Sequence, residues 1–369
     1  MSNIIPEGFK DDVTFQVETE HKFKNIIIKL FQISGFKLIK TPLIEYNESD
    51  LNDNIFKLST KKNEKELIIR DDITMQVARL SQTRLLNKNR PLKLCYYGEV
   101  VRKRGTMLRP ERQFLQIGAE CIGESSYLAD VEMMDLAYSA LNAVGIKDIT
   151  IEISSRIFFD YFINSFKSLK LIYEIKRLVK LKDLNSLLKV LDKKKHSYIK
   201  NIFACTGEYR NKKKYLDKLS IDLDTSNEVK NLKNIVNNFS KSNKDVKFFI
   251  DLCEIDDKNY HSGIRFTFFA NDIRGEIAKG GRYLVKNLNQ NDEATGFTCY
   301  MDSILRASSF KQIKKKIMIP FKTDKIKIKK LIKQGYTVIK HFNDIKNIKS
   351  KSQEQNCKFY LEKNLIKKN

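Results

Sequence analysis

Tyr97–Gly123 reads YGEVVRKRGTMLRPERQFLQIGAECIG. A β-rich run over Leu92–Arg102 enters a loop crowded with Arg102, Lys103, Arg104, Arg109 and Arg112, and a second β-rich run over Gln113–Gly123 leaves it. Gly105 and Pro110 punctuate the loop, which predicts a long β-hairpin with a basic tip. Side chains alternate between the two faces of a strand. Leu115, Ile117, Ala119 and Cys121 therefore share an apolar face that wants a packed backing, while Gln116, Gly118 and Glu120 share the other. Two polar side chains flanking a Gly suit the floor of a polar pocket. By pattern alone, an antiparallel sheet with one solvated face is the favoured reading of them.

Taken whole, the stretch resembles motif 2 of histidyl-tRNA synthetases. The spacing from Gly98 through Arg102, Arg112-Gln113-Phe114 and Gln116 to Gly118 fits that family without a gap. Upstream, Ile5-Pro6-Glu7-Gly8-Phe9 is an extended entry. The periodicity over Phe15–Ser34 predicts a helix with Val17, Ile26, Ile27, Leu30, Phe31 and Ile33 as its apolar stripe and Gly35 ending it. Phe36–Ile39 and Leu43–Tyr46 read as β with Pro42 between them. That layout resembles class II synthetase motif 1, which in the family lies at the dimer interface. In Leu67–Thr74 a short β run turns into a helix over Thr74–Leu86, with Asp71 or Asp72 placed to cap its first turn. The matching synthetase segment holds the amino acid's α-ammonium there. A carboxylate beside a Thr hydroxyl suits an ammonium through charge-assisted hydrogen bonds.

Downstream, Ser125 or Ser126 caps a helix over Tyr127–Val144, and Ile149–Ser154 is an alternating strand. From Arg156 to about Asn243 the chain is Lys-rich and helical. Histidyl-tRNA synthetases carry a helical insertion at this place. β signals return at Val246–Ile255 and Gly263–Ala270. Gly280-Gly281-Arg282-Tyr283 permits a tight backbone approach, and Ala294–Cys299 is a strand feeding a helix through Arg306. The Gly-Gly-Arg-Tyr and Ala-Thr-Gly-Phe segments resemble the family's final catalytic segments. The resemblance spans about Ile5 to Arg306, with four motifs in order. It implies an α+β fold, a class II aminoacyl-tRNA synthetase-like antiparallel sheet flanked by helices. The expected divisions are 1–155 and 244–310 for the synthetase-like domain, 156–243 for the helical insertion and 311–369 for a short C-terminal α/β module.

Composition narrows the class. Lys and Arg number 69 against 45 acids, a formal charge of +24. The excess is mostly Lys, spread among Ile and Asn along the whole chain as in an A/T-biased genome. Arg, the better residue for planar phosphate contacts, is sparse outside the hairpin. The charge thus reads as a solvated surface, and tRNA is not an expected partner. Six cysteines without a CxxC pair point to reduced thiols, no structural zinc and a cytoplasmic location. Four isolated histidines suggest no metal cluster, and no cofactor is expected. No apolar run approaches the roughly 18 residues of a membrane span. The N-terminus lacks a signal-peptide layout.

The departures from the family decide the functional expectation. Where active synthetases carry an arginine before Tyr260 that clamps the reacting carboxylate and phosphate, this chain has Asp256. Where motif 3 ends in a phosphate-binding arginine, it has Ser303. The motif 2 Glu is Arg104. One lost preorganised donor costs about 3 kcal/mol, about a hundredfold in rate, so efficient adenylation is not expected and no catalytic residue is assigned. On the amino-acid side, Asp72, Thr74, Arg102, Gln116, Glu120, Tyr260, Gly280 and Arg282 sit where the family lines its histidine site, and His261 replaces a Tyr. Gln116 and Glu120 could hydrogen-bond the two imidazole nitrogens. Past Arg306 the family carries an anticodon-binding domain, whereas only a stub remains. Lys316–Phe321 and Tyr336–His341 read as β, Asp324–Gln334 as helix, followed by a short helix and a strand at Lys358–Glu362.

A synthetase-like body without its ATP arginines, with an amino-acid pocket and a shortened tail, resembles the regulatory subunits of ATP phosphoribosyltransferase. The resemblance implies a short-form catalytic subunit as partner at the first step of histidine biosynthesis. It also implies a homodimer within a hetero-octamer, and L-histidine as ligand. An RNA-binding or residually active synthetase-like protein is the alternative.

Overall fold

The hairpin dictates the sheet around it. The computed structural model describes residues 4–47, 54–58, 65–255, 261–271, 273–286, 291–310, 315–342 and 347–369. Its first elements are α1 (Phe15–Ile33), β1 (Lys37–Ile39), β2 (Ile44–Tyr46), β3 (Phe56–Leu58), β4 (Leu67–Ile69) and α2 (Thr74–Gln82). The hairpin follows as β5 (Leu92–Val101) and β6 (Gln113–Ile122), paired antiparallel from Leu92 with Ile122 to Val101 with Gln113. Then come α3 (Tyr127–Ala143), capped by the Ser126 hydroxyl accepting from the Leu128 N–H, and β7 (Thr150–Ser155).

Six helices occupy the Lys-rich stretch: α4 (Ile157–Ile163), α5 (Leu169–Lys180), α6 (Leu184–Val190), α7 (Lys193–Ala204), α8 (Tyr209–Leu216) and α9 (Leu223–Ser242). A two-residue strand, β8 (Gly207–Glu208), and a 3-10 turn at Asp217–Leu219 interrupt them. The stretch belongs to the same compact unit as the sheet, Met1–Ser309. Phe239 of α9 packs edge-on against Tyr138 of α3 at 5.7 Å and against Phe248 at 5.5 Å, which joins helices and sheet through one aromatic seam. Phe248 lies in β9 (Lys247–Ile250). After it come β10 (His261–Phe269), β11 (Ala278–Val285), β12 (Asp292–Tyr300) and α10 (Met301–Ala307).

The nine-stranded sheet runs β1-β5-β6-β12-β11-β10-β7-β9-β8. Its six central strands are antiparallel, and β1 on β5 and β9 on β7 are parallel. Strand register sorts its two faces. Phe297 of β12, stacked edge-on against Phe31 of α1 at 5.5 Å, marks the face covered by α1 and α3. The opposite face packs Tyr96, Tyr283, Ala294 and Leu94 against Ile73 and Val77, where α2 begins. Both faces of β6 are buried from Phe114 to Ile122, so the solvated-face alternative does not hold. Three short strands, β2-β4-β3, form a separate sheet. Arg70, just past β4, donates to the carbonyls of Thr41, Pro42 and Glu99, tying the Pro42 segment to β5.

The stripe of α1 differs from expectation. Phe23, Ile27, Ile28 and Phe31 are buried, whereas Val17 is 46% and Ile33 77% exposed. The i, i+4, i+8 line from Phe23 faces the sheet and leaves Val17 and Ile33 off it. At α2 the N-cap position falls to Ile73 rather than an Asp, and Asp72 reaches one residue past it to accept from the Thr74 N–H at 2.8 Å.

The second unit is Phe310–Asn369. It contains β13 (Lys315–Pro320), α11 (Lys325–Lys333), β14 (Tyr336–His341), α12 (Ile348–Glu354), β15 (Phe359–Glu362) and β16 (Leu365–Lys368), with strand order β14-β13-β15-β16. Ile317 and Ile319 pack with Leu331 of α11, and Met318 packs with Ile348 of α12 on the other side. Sequence reading missed β16. All four of its residues are exposed on a Lys-rich edge, so no apolar alternation marks it.

Candidate functional site

Glu120 is the centre of a buried polar network on the α2 side of the sheet. Its neighbour across β12 is Gly296. A Cβ at Gly296 would overlap the Glu120 carboxylate, and one at Gly118 would overlap the Tyr96 hydroxyl. The two glycines therefore make room for an acid and a phenol lying flat on the sheet. Tyr96 OH donates to Glu120 Oε1 at 3.3 Å and Tyr283 OH to Oε2 at 2.9 Å. Thr298 Oγ1 at 2.8 Å and Thr74 Oγ1 at 3.2 Å complete the surroundings of the Tyr96 hydroxyl. Burial pushes the Glu120 carboxyl up to about 8. The Tyr283, Thr74 and Tyr96 hydrogen bonds pull against that rise, and the negative charge of Asp72 adds to it. At neutral pH this acid holds its proton.

Asp72 is the second acid. Its Oδ1 takes the Thr74 N–H and its Oδ2 accepts from Gln116 Nε2 at 3.1 Å, while Gln116 Oε1 accepts from the Ile73 N–H at 3.3 Å. The capping and binding roles expected of this residue are thus compatible, one per oxygen. Asp72, Thr74, Gln116 and Glu120, four of the residues expected from sequence, converge in one network. The combination offers a carboxylate, a hydroxyl, an amide and a protonated acid within a few ångströms. That set matches an ammonium at one end and a ring with N–H and N: positions at the other.

The remaining expected residues are dispersed. Arg102 sits at the end of the same face, its guanidinium 5.0 Å from the Phe114 ring. His261 opens β10 opposite Tyr283, with Nδ1 3.0 Å from where a Gly281 Cβ would stand. Gly280 and Arg282 lie on the opposite face, among the helices. A Cβ at Gly280 would strike the Phe266 ring, and the Arg282 guanidinium meets Asp130 of α3 at 2.7 Å and Glu293 at 2.9 Å. Arg282 also donates to the carbonyls of Glu124 and Ser126. It is a bracket between β11 and α3 and has no hydrogen bond left over for a ligand on the Glu120 side. The correction is one register step: Gly281 and Tyr283 face Glu120. Tyr260 lies outside the described residues, as does Asp256.

Sequence reading missed Tyr96, Tyr283 and Thr298. Strand alternation held the signal, since Tyr96 and Thr298 pair directly with Gly118, and Tyr283 is two residues from Gly281. Arg109 was also missed as a buried residue. Its guanidinium lies 3.7 Å from the Tyr300 ring centroid and pairs with Glu276 at 3.2 Å and Asp302 at 3.3 Å. Ser303, at the motif 3 position, is buried and its Oγ accepts from Arg306 at 3.2 Å. Arg306 in turn pairs with Glu111 and Asp302. Arg112 donates to the carbonyls of Arg102 and Glu7. The cations at this end of the sheet are thus engaged by carboxylates, carbonyls and rings, and Arg104 stands exposed on the loop.

Residues 8–304 match the sequence model of the family described as histidyl-tRNA synthetase. The chain belongs to the histidyl-tRNA synthetase family. Within it, relatives that match this chain over nearly its whole length are ATP phosphoribosyltransferase regulatory subunits. The one from Rhodospirillum centenum is 29% identical over 374 residues, covering 96% of this chain and 93% of its own. The one from Paramagnetospirillum magneticum is 27% identical and covers 97% and 96%. Among solved structures, an ATP phosphoribosyltransferase regulatory subunit/histidyl-tRNA synthetase from Bacillus halodurans superposes with a TM-score of 0.79. It has 20% identity and covers 95% of each chain. A histidyl-tRNA synthetase from Nostoc sp. gives 0.78 at 19% identity, covering 98% and 91%. These likenesses establish the histidyl-tRNA synthetase-like class II fold.

Proposed function

We propose that this chain is the regulatory subunit of ATP phosphoribosyltransferase, acting at the first step of histidine biosynthesis. One observation carries the reading. The full-length relatives bear that name, while the position that should hold the motif 3 arginine is a buried serine surrounded by already paired arginines. An ATP triphosphate arriving beside Ser303 would meet Arg306 and Arg109 committed to Glu111, Asp302 and Glu276. Releasing them would strand the Asp302 carboxylate, whose side chain is 6% exposed, which costs several kcal/mol. The chain therefore performs no aminoacylation. It works in the cytoplasm by binding a short-form catalytic subunit and favouring that enzyme's more active state.

The Asp72, Thr74, Gln116 and Glu120 network is its L-histidine site, with Arg102 and His261 at the rim. The Pro42 segment, held by Arg70, pairs two copies of the chain, and these dimers join catalytic dimers in a hetero-octamer. Residues 156–243 form its helical insertion and residues 311–369 a C-terminal α/β module. Light scattering on a mixture with the short catalytic subunit from the same organism tests the partnership. A complex heavier than either dimer is expected, and two separate species would contradict it.

A further inference from the structure

The helical stretch encloses a cleft of about 970 Å³ between α4, α7 and α9. That is the size of a small-molecule site. Glu228 of α9 lines it and is 5% exposed, and its Oε1 has no hydrogen-bond partner among the described residues. A buried acceptor without a partner costs about 1–3 kcal/mol, and no part of the Glu120 network uses it. Burial lifts the Glu228 carboxyl to about 7, the Asp130 charge adds to the rise, and Ser155, Arg282 and Asn231 pull against it. Asn227 and Asn231 add amides beside it, and the Tyr161 and Tyr198 rings, 5.2 Å apart, form an apolar wall. Lys194, Lys195 and Lys218 line the same cleft from two other elements.

The other acids of the cleft are largely spoken for. Asp160 is paired with Arg156 at 2.6 Å, and Asp222 caps α9 by accepting from the Thr225 N–H at 2.9 Å. Asp224 is exposed. The cleft then offers a deep acceptor with amides around it, a ring-sized wall, and three ammonium groups, of which Lys195 lies 5.6 Å from the Phe166 ring and Lys218 5.4 Å from the Tyr215 ring. A carboxylate accepts from both hydroxyls of a vicinal diol, and lysines serve phosphate as point charges. We infer that this cleft is a second ligand site, taking a phosphorylated ribose, either free or within a nucleotide, with the diol on Glu228 and the phosphate on the lysines. The site is independent of the regulatory reading, since it rests on none of the Glu120 network. Ser262 lines the cleft and is adjacent in the chain to His261 of the Glu120 side.

Calorimetry on the full chain with AMP, ribose 5-phosphate, ribose and inorganic phosphate tests it. AMP or ribose 5-phosphate, or both, should bind with one site per chain, at least about tenfold tighter than ribose or phosphate alone. AMP far tighter than ribose 5-phosphate assigns a nucleotide, and similar affinities assign a sugar phosphate. Glu228→Gln should weaken binding about tenfold or more. Lys194→Ala/Lys195→Ala should weaken it and flatten its salt dependence, while Lys170→Ala/Lys189→Ala on exposed positions outside the cleft should not. Should Glu228→Gln fail to fold, the Lys194/Lys195 double variant still decides. No binding of either phosphorylated ribose, inorganic phosphate binding as tightly as AMP, or a lysine double variant identical to wild type would overturn the assignment.

Discussion

Glu120 carries the pocket's chemistry in one proton. Its carboxyl rises from the ordinary range to about 8 because burial disfavours the anion. The folded chain therefore holds a proton that the unfolded chain releases between about pH 4.5 and 8. Folding stability from this group is fully present below the unfolded value and is lost as pH rises through that window, by a few kcal/mol at most. Glu120→Gln removes the titration. Its denaturation midpoint should fall less than that of the wild type between pH 5 and 8, and parallel pH profiles would refute the assigned proton. The same residue sets affinity. Glu120→Ala should weaken L-histidine binding by about 1–3 kcal/mol, about 5- to 150-fold, because an imidazole donor and both tyrosine hydroxyls lose their acceptor. Equal calorimetric affinity would remove the pocket from the account.

Individual elements explain what sequence could and could not reveal. The hairpin was legible to within a residue, since period-2 alternation and the Gly105 and Pro110 punctuation are local. The convergence of Asp72, Thr74, Gln116 and Glu120 was legible through motif spacing. The face of Gly280 and Arg282 was not. Two adjacent glycines make either parity plausible, and only the partner of Arg282, Asp130 on α3 far along the chain, decides it. Arg109 likewise read as one more basic loop residue, because the carboxylates that bury it come from β12–α10 and from the turn before β11. The Arg282 bracket gives a separate prediction. Arg282→Ala should cost about 3–5 kcal/mol by stranding buried Asp130, and the double change with Asp130→Asn should recover part of it. A thermal melt within a degree or two of wild type would contradict the structural role. At α10, Ser303→Arg should not create histidine-dependent ATP–pyrophosphate exchange, because the new cation enters a buried site beside Arg306. Exchange in the roughly 1–10³ per second range of working enzymes would contradict this.

At the scale of the molecule, a protein can control a reaction by binding one state of a partner more tightly than another. Histidine then reverses activation only as far as its affinity differs between the two states, a coupling of about 1–3 kcal/mol. By linkage, any factor by which histidine changes the affinity of the complex for phosphoribosyl pyrophosphate is the factor by which phosphoribosyl pyrophosphate changes its affinity for histidine. The formal charge of +24 plays no part in this, as it is spread along the chain. The most direct measurement mixes this chain with the purified short catalytic subunit of the same organism and follows phosphoribosyl-ATP formation with and without L-histidine. The account predicts a severalfold higher rate that saturates with this chain and falls when histidine is added. A rate indifferent to this chain at every ratio would contradict it.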